Sequence, residues 1–400
     1  MAAAPARNSS TLTCSQFISN VSNFLDDLNT ISGSRNFSDD GSWGHATAAN
    51  AIEKIIIPAV CVFGILGNVL NLVVLTRKQL KSTMDDMEKS SHLGLVALAV
   101  SDFIFCLLSI TIHFIIPNKF IFTQKDSIVL FYYFVYYEAV NNIAMLASTW
   151  LTVVMALGRY IGICHPLHAR GFINLNGTRA AIAIVCMGAV LANLPKFWHY
   201  YPKISPCSDL GQQIQALAPA GGVSCDCHYY SKARGDLYGD KTFVWIFRLV
   251  YFILSLILPL IILSVCNVCL IRALRQSYKM QRQYRANAPR DSGHRITPTL
   301  ISLIILFTIL VTPSEVIAFF KDDFPSYPLY MTMITSANLL LSINYSINFV
   351  LYCVINVQFR KTIKSIVSCA VRGRVSSPEY TKANQCTTLT VNVSECETEM

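Results

Sequence analysis

Charged side chains are scarce in this sequence. Only 14% of the 400 residues are Asp, Glu, Lys or Arg, whereas 53% are hydrophobic. A soluble domain usually carries about 25% charged residues, so this shortage disfavours a water-soluble domain and predicts a chain that lies mostly in lipid. The net charge of +9 reflects basic loops between apolar runs, which set membrane orientation, and gives no reason to expect a nucleic-acid partner.

Two further features are missing. Transporters of this size usually contain internal repeats and Gly-interrupted helices at matching positions, and this sequence has no such symmetry. An enzyme needs a nucleophile and base or a cluster of metal ligands, but the histidines, among them His165, His168 and His294, fall mainly in loops. We therefore expect no catalytic activity, and a membrane transporter or channel is the alternative to the function inferred below.

Long apolar runs dominate the middle of the chain. Each is long enough, or nearly so, to cross a hydrocarbon layer about 30 Å thick as a helix, and unpaired strands would leave backbone groups unsatisfied in lipid. We predict an all-α membrane protein, a seven-transmembrane helix bundle over residues 53–357. The fourth run is short, and a re-entrant or core segment is its alternative. The runs are 55–75, 92–116, 127–164, 180–194, 243–271, 297–320 and 329–357.

Basic residues predict the orientation. Residues 272–295, between the fifth and sixth runs, contain seven Arg and Lys side chains against one acid, Asp291. Because short basic loops remain cytoplasmic, the amino terminus of a seven-span chain would be extracellular. We expect a multi-pass plasma-membrane protein. Residues 1–52 contain no apolar stretch typical of a cleavable signal peptide, so the first span would direct membrane insertion.

The predicted extracellular parts carry candidate modification sites. Residues 1–52 should form a disordered tail with glycosylation sequons at Asn8, Asn20 and Asn36. Four cysteines lie on the oxidising side and permit three pairings, among which the sequence does not choose. They are Cys14, Cys207, Cys225 and Cys227.

Several short motifs occur in a fixed order on the predicted helices. Gly158-Arg159-Tyr160 ends the third run, and the others are Asp102 in the second, Pro259 in the fifth, Pro313 in the sixth, and Asn348-Phe349-Val350-Leu351-Tyr352 in the seventh. Together, over residues 67–366, they resemble rhodopsin-like (class A) G-protein-coupled receptors. Residues 148–155 and 193–197 are similar to invertebrate neuropeptide receptors of the FMRFamide-receptor type.

The sequence departs from that family pattern in places. Gly158 stands where the family has an acid, and Phe349 stands where it has proline. No cysteine occurs at the start of the third helix, around Phe134, where the family normally anchors its second outer loop. The usual disulfide is therefore in doubt.

The resemblance implies a function and partners. A receptor of this type binds an extracellular neuropeptide and activates heterotrimeric G proteins through outward movement of the sixth helix. It also implies a membrane-surface helix eight at residues 358–368, contact with membrane lipid, and a cytoplasmic regulatory tail at 369–400 that recruits a receptor kinase and arrestin. Cys369 would be a palmitoylation site.

The resemblance assigns G-protein coupling to Arg159, Tyr160 and Tyr352. In related receptors the acid before the arginine holds it in the resting state, and Gly158 cannot do so. We therefore expect measurable basal signalling. The alternative is that Arg159 only extends to the membrane interface.

A second group implied by the resemblance is a sodium site in the inactive state. Asp102 would be expensive to bury without polar partners. The candidate ligands are Asp102, Ser148, Asn344 and Asn348, and no other cofactor is expected. A cluster of interhelical hydrogen bonds without an ion is the alternative.

Polar residues in the outer halves of the third, fifth and sixth runs predict the ligand site. Glu138 or Glu315 would bind a cationic group of a peptide, and Arg248 a carboxylate or carbonyl. Alternatively, Arg248 and Glu315 would pair with each other. The full predicted set is Glu138, Asn141, Asn142, Met145, Arg248 and Glu315.

Overall fold

The fold is mostly helical. The computed structural model describes residues 49–76, 86–115, 122–123, 128–165, 173–206, 228–284, 306–355, 359–364 and 368. The predicted sites at Asn8, Asn20, Asn36, Cys14, Cys207, Cys225, Cys227 and Cys369 lie outside these ranges.

Seven helices, α1 to α7, correspond in order to the seven predicted runs. By length and hydropathy, α1 to α5 can each cross a membrane, and the two parts of α7, bent by 47° at their junction, add a sixth span. They are α1 (Ile57–Thr76, preceded by the π-helical turn Ile52–Ile56), α2 (Asp86–Ile115), α3 (Ile128–Cys164), α4 (Leu175–Asn193, continued by the 3-10 turn Leu194–Trp198), α5 (Lys241–Phe252 and Leu258–Tyr284, joined by the π-helical turn Ile253–Ile257), α6 (Leu306–Phe319) and α7 (Tyr327–Ser346 and Asn348–Ile355).

Two of the predicted runs differ from the observed helices in extent. The fourth begins earlier than expected, because the Asn174 side chain caps it by accepting a hydrogen bond from the Gly177 N–H at 2.6 Å. Together with its 3-10 turn it is 24 residues long, which favours a span over a re-entrant segment. Of the sixth run, only the part from Leu306 onwards is described. Residues 359–364 are helical, but a membrane-surface helix eight stays a prediction.

Three prolines coincide with irregular helix geometry. Pro58 and Pro259 each follow a π-helical turn by two residues, and Pro313 follows a turn at the start of the regular part of α6. A proline nitrogen carries no hydrogen, so the carbonyl one turn earlier loses its usual donor. The irregularities at Pro259 and Pro313 place breaks in α5 and α6 within their membrane segments.

The bend between the two parts of α7 contains no proline, and it packs against α1. Two glycines of α1 permit this close approach, since an added Cβ at Gly64 would overlap the side chains of Ser346 and Cys106. At Gly67 an added Cβ would lie 3.0 Å from the Cβ of Phe349. Small residues commonly allow such contacts between membrane helices, and here they bring α1, α2 and α7 together.

A small antiparallel sheet covers one end of the bundle. Its strands are β1 (Phe122–Thr123), β2 (Tyr200–Pro206) and β3 (His228–Arg234), arranged in the order β1-β3-β2. The β2–β3 register runs from Tyr200 opposite Arg234 to Pro206 opposite His228. The all-α expectation did not include this sheet, which positions several residues of the cavity described next.

Candidate functional site

One cavity at the sheet-covered end of the bundle contains the whole predicted ligand set. Its volume is about 500 Å³, within the usual range of ligand sites. Among the lining residues are Glu138, Asn141, Asn142, Met145, Arg248 and Glu315. The structure therefore brings these six side chains together around one cavity.

Glu138 is the electrostatic centre of the cavity wall. Its side chain is exposed, although the residue lies within α3, and forms no ion pair with any residue that the structure describes. Burial lowers the pKa of Lys232 on β3, and the negative charge of Glu138 opposes that shift. The same two causes, in the same order, act on the pKa of His199. The Glu138 carboxylate therefore lies near enough to Lys232 and His199 to act on both, without forming an ion pair with either.

The base of the cavity is a hydrogen-bonded junction of α3, α4 and α5. Tyr251 donates to the side-chain oxygen of Asn142 at 3.2 Å, and the Lys196 ammonium lies 3.7 Å from the centre of the Tyr251 ring. Asn193 at the end of α4 donates to the Asn142 backbone carbonyl on α3 at 3.4 Å. A ligand that moves Tyr251 would therefore act on all three helices.

Arg248 and Glu315 do not pair with each other. Arg248 binds the Asp322 carboxylate at 2.7 Å, whereas Glu315 accepts a hydrogen bond from Ser255 at 2.6 Å. The two contacts lie at different levels along the bundle axis. Arg248 lies seven residues before Ser255, and its side chain contacts the short turn Lys321–Asp323 that follows α6. The alternative pair proposed from the sequence is thus wrong, and α5 contacts α6 at two levels.

A buried polar centre lies deeper in the bundle. Asp102 is fully buried and its two carboxylate oxygens accept hydrogen bonds from Ser148 and from the Asn348 amide, each at 2.5 Å. Asn344 lines an adjoining cavity of about 50 Å³ together with Ser148 and Asn348. These groups connect α2, α3 and α7.

The same residues offer the oxygen ligands that a hard cation prefers. A carboxylate and a hydroxyl are present at Asp102 and Ser148, next to a small cavity of mixed lining. However, Asn348 presents its amide nitrogen to Asp102, and both carboxylate oxygens are already hydrogen-bonded. The geometry accommodates sodium only if these hydrogen bonds rearrange.

The predicted coupling residues lie at the opposite end of the bundle from the large cavity. Arg159 is exposed and forms no ion pair within the described part of the chain. Tyr160 hydrogen-bonds to His165 at 3.1 Å, and the Tyr352 ring lies 5.7 Å from that of Phe359. A Cβ added to Gly158 would meet no atom within 4 Å, so the space for an acid beside Arg159 is open.

Comparison with known proteins decides the family. The sequence model of the family described as serpentine-type seven-transmembrane GPCR chemoreceptor Srw matches residues 55–370. The chain belongs to this receptor family. Membership confirms the seven-transmembrane fold and disfavours the transporter or channel alternative.

Several relatives of this receptor are named after peptides. The FMRFamide receptor of Drosophila melanogaster is 26% identical over 320 residues, covering 77% of this chain and 52% of that protein. The sex peptide receptor of the same species is 26% identical over 352 residues, covering 84% and 77%. Sex peptide receptor-related protein 2 of Caenorhabditis elegans is 23% identical over 338 residues, covering 77% and 70%. This chain spans about half the length of the first relative. The expected resemblance to FMRFamide-receptor-type proteins is confirmed.

Sequence reasoning missed four residues of the receptor's cavity region. Lys196, Tyr251, Ser255 and Asp322 each contact a predicted site residue or its partner. Lys196 had a detectable signal, since it lies within residues 193–197, which resemble FMRFamide-receptor-type proteins. Ser255 and Asp322 gave none, because their positions depend on the π-helical turn and on the loop after α6.

Proposed function

We propose that this receptor binds an extracellular neuropeptide in the large cavity and activates heterotrimeric G proteins through outward movement of α6. The observation that supports this most is the convergence of six polar or flexible side chains from α3, α5 and α6 on one cavity of about 500 Å³. The FMRFamide and sex peptide receptors, which have peptide names, are among its relatives.

The acids of the cavity wall favour a peptide with a cationic group. Glu53 and Glu138 have no ion-pair partner among the described residues, while Glu315 is held by Ser255 and Arg248 by Asp322. A guanidinium or ammonium group would make a charge-assisted hydrogen bond with Glu138. The aromatic side chains of Tyr137, Tyr251 and Phe247 line the same cavity and would contact apolar peptide side chains.

The proposed signal passes from the cavity to the far end of the bundle through helix contacts. Ser255 on the π-helical turn of α5 is hydrogen-bonded to Glu315, which follows Pro313 in α6. A ligand group that competes for Glu315 would weaken this contact and favour a second arrangement of α6. Arg159, Tyr160 and Tyr352 would then contact the G protein together with residues 272–295.

Several finer proposals accompany this function. The receptor would lie in the plasma membrane with residues 1–52 outside as a glycosylated tail and residues 53–357 as the bundle. Residues 358–368 would lie on the membrane surface, and residues 369–400 would be phosphorylated by a receptor kinase and bound by arrestin. A sodium ion at Asp102 would stabilise the resting state.

A library of neuropeptides applied to cells that express the receptor tests the proposal. A true ligand should evoke a calcium or cAMP response. The Glu138→Gln variant should then need about 10- to 100-fold more of a cationic ligand, because a charged hydrogen bond is lost. Asp323→Asn is the matched control, since Asp323 is an exposed carboxylate that does not line the cavity.

Two results would contradict this assignment of the site. One is a normal response of Glu138→Gln to a ligand whose cationic group is essential. The other is an equal loss of potency in Asp323→Asn at equal surface expression, which would indicate a general effect of charge at that end of the receptor.

A further inference from the structure

A second cavity lies beside the ligand cavity, at the end of α4. Its volume is about 610 Å³, again within the range of ligand sites. It is lined by Tyr136, Phe197, Trp198, Tyr201, Gly235, Asp236 and Leu237. Four of these seven residues are aromatic, one is an acid, and none carries a positive charge.

Aromatic side chains from α3, from the turn after α4 and from β2 line this second cavity, the aromatic cavity. The ring of Tyr136 on α3 lies 6.0 Å from that of Phe197 on the 3-10 turn after α4. Trp198 ends the same turn with 56% of its surface exposed, and Tyr201 on β2 is 47% exposed. Large aromatic side chains that are this accessible in a concave site offer their faces to a ligand.

Asp236 supplies the only formal charge among the lining residues. It is exposed and forms no ion pair with the residues that the structure describes. A carboxylate beside several aromatic faces attracts cations, since each ring face also carries negative electrostatic potential. The cavity is therefore complementary to a positively charged group.

The floor of the aromatic cavity is fixed in place. The Gly235 N–H donates to the His199 carbonyl at 3.0 Å. A Cβ at Gly235 would overlap the carbonyl oxygen of Trp198, so only glycine permits this approach. The loop that carries Asp236 is thus held directly against the turn that carries Trp198, and the aromatic and acidic groups are preorganised.

The position of the cavity indicates which cation is available. Trp198 is the last residue of the membrane span formed by α4, and Asp236 precedes the start of α5 by five residues. The ends of membrane spans lie at the level of the lipid headgroups, where tryptophan and tyrosine are enriched. The ammonium groups of lipid headgroups are the cations present there at high concentration.

We propose that the aromatic cavity binds the choline headgroup of a phosphatidylcholine molecule in the leaflet on the ligand-cavity side. Aromatic cages with a nearby acid are suited to quaternary ammonium groups. The methyl groups contact ring faces without requiring hydrogen bonds. A primary ammonium has three N–H donors to satisfy, whereas a quaternary ammonium has none.

This lipid site would adjoin the ligand cavity through a shared wall. Arg234 and Tyr238 line the ligand cavity, while Gly235, Asp236 and Leu237 between them line the aromatic cavity. A bound headgroup would therefore hold the segment that separates the two sites. The proposal itself does not depend on the identity or class of the receptor's ligand.

Native mass spectrometry of the full-length receptor with synthetic lipids tests the proposal. The probes are phosphatidylethanolamine, its mono- and dimethylated forms and phosphatidylcholine, all with the same acyl chains. Retention should rise with each methyl group and reach about fivefold for phosphatidylcholine over phosphatidylethanolamine. Asp236→Asn and Trp198→Leu should each abolish most of this preference.

A matched control separates a headgroup site from ordinary interfacial anchoring. Trp245 on α5 has 59% of its surface exposed and does not line the aromatic cavity, so Trp245→Leu should retain the preference. Equal retention of all four lipids by the wild type would overturn the proposal. So would an equal loss in Trp245→Leu and Trp198→Leu, or full preference in an Asp236→Asn receptor whose thermal transition in lipid-free detergent is normal.

Discussion

At the scale of single residues, Gly158 is the most informative departure from the family pattern. Arg159 beside it is exposed and lacks an acidic partner among the described residues. An exposed charge pair contributes about 0–1 kcal/mol, so its loss shifts the resting balance only modestly. We therefore expect raised basal signalling in a receptor that is not fixed in its active state.

Restoring the acid should reverse this effect. Gly158→Asp is sterically permitted because a Cβ there meets no atom within 4 Å. We expect it to lower ligand-independent G-protein signalling by up to about fivefold at equal surface expression, measured as basal nucleotide exchange in membranes. Gly158→Asn is the matched control and should leave basal exchange near the wild-type level. Equal activity of all three proteins would remove the assigned role of Gly158.

The polar centre at Asp102 allows a test of the sodium proposal. If an ion binds there, replacing potassium with sodium at constant ionic strength should raise the thermal midpoint of the purified receptor by a few degrees, because ligand binding adds on the order of 1–3 kcal/mol. Asp102→Asn should remove the difference between the two salts. If the wild type melts equally in both, the cluster is held by hydrogen bonds alone.

The sequence predicted which residues line the sites better than it predicted which residues they contact. Glu138, Asn142 and Glu315 were recognisable because polar side chains are rare in the outer halves of apolar helices. The partner of Arg248 was not, because Asp322 lies in a turn whose position depends on where α6 ends. By contrast, Ser148 and Asn348 were expected beside Asp102, and both donate hydrogen bonds to its carboxylate.

At the scale of secondary-structure elements, hydropathy predicted the seven helices in order but missed the sheet. β2 and β3 are seven residues each; both contain Lys and β2 also contains two prolines, so neither has the alternation typical of a half-buried strand. The π-helical turns were not predicted either, although each ends two residues before a proline. The prolines can be recognised in the sequence, but the backbone conformation around them cannot.

The packing of α1 against α2 and α7 gives the sharpest test at this scale. Gly64→Ala should destabilise the receptor by about 1–3 kcal/mol, because the added methyl overlaps the side chains of Ser346 and Cys106. The thermal midpoint in detergent measures this loss. Gly188→Ala on α4 is the matched control, since a Cβ there meets no atom within 4 Å, and it should be neutral or slightly stabilising.

A result with equal midpoints for Gly64→Ala and the wild type would contradict the close approach of α1 to α7. An equal fall in both glycine variants would instead indicate that any change in these helices weakens the bundle, and the specific role of Gly64 would be lost.

At the scale of the whole molecule, charge distribution and helix packing agree with one receptor architecture. The large cavity and the Arg159 region lie at opposite ends of α3, a single helix of 37 residues that is about 55 Å long at the usual rise per residue. Asp102, bonded to Ser148 and Asn348, lies between them. A ligand at one end and a G protein at the other can therefore affect each other only through rearrangement of the helices.

Nucleotide exchange on purified Gα subunits in the presence of the reconstituted receptor tests this central claim most directly. We predict that a neuropeptide identified in the library accelerates exchange by the wild-type receptor. It should fail to do so with Arg159→Ala, although the peptide still binds that variant. If no peptide accelerates exchange on any Gα subunit by a folded wild-type sample, or if Arg159→Ala couples as well as the wild type, the proposed coupling is contradicted.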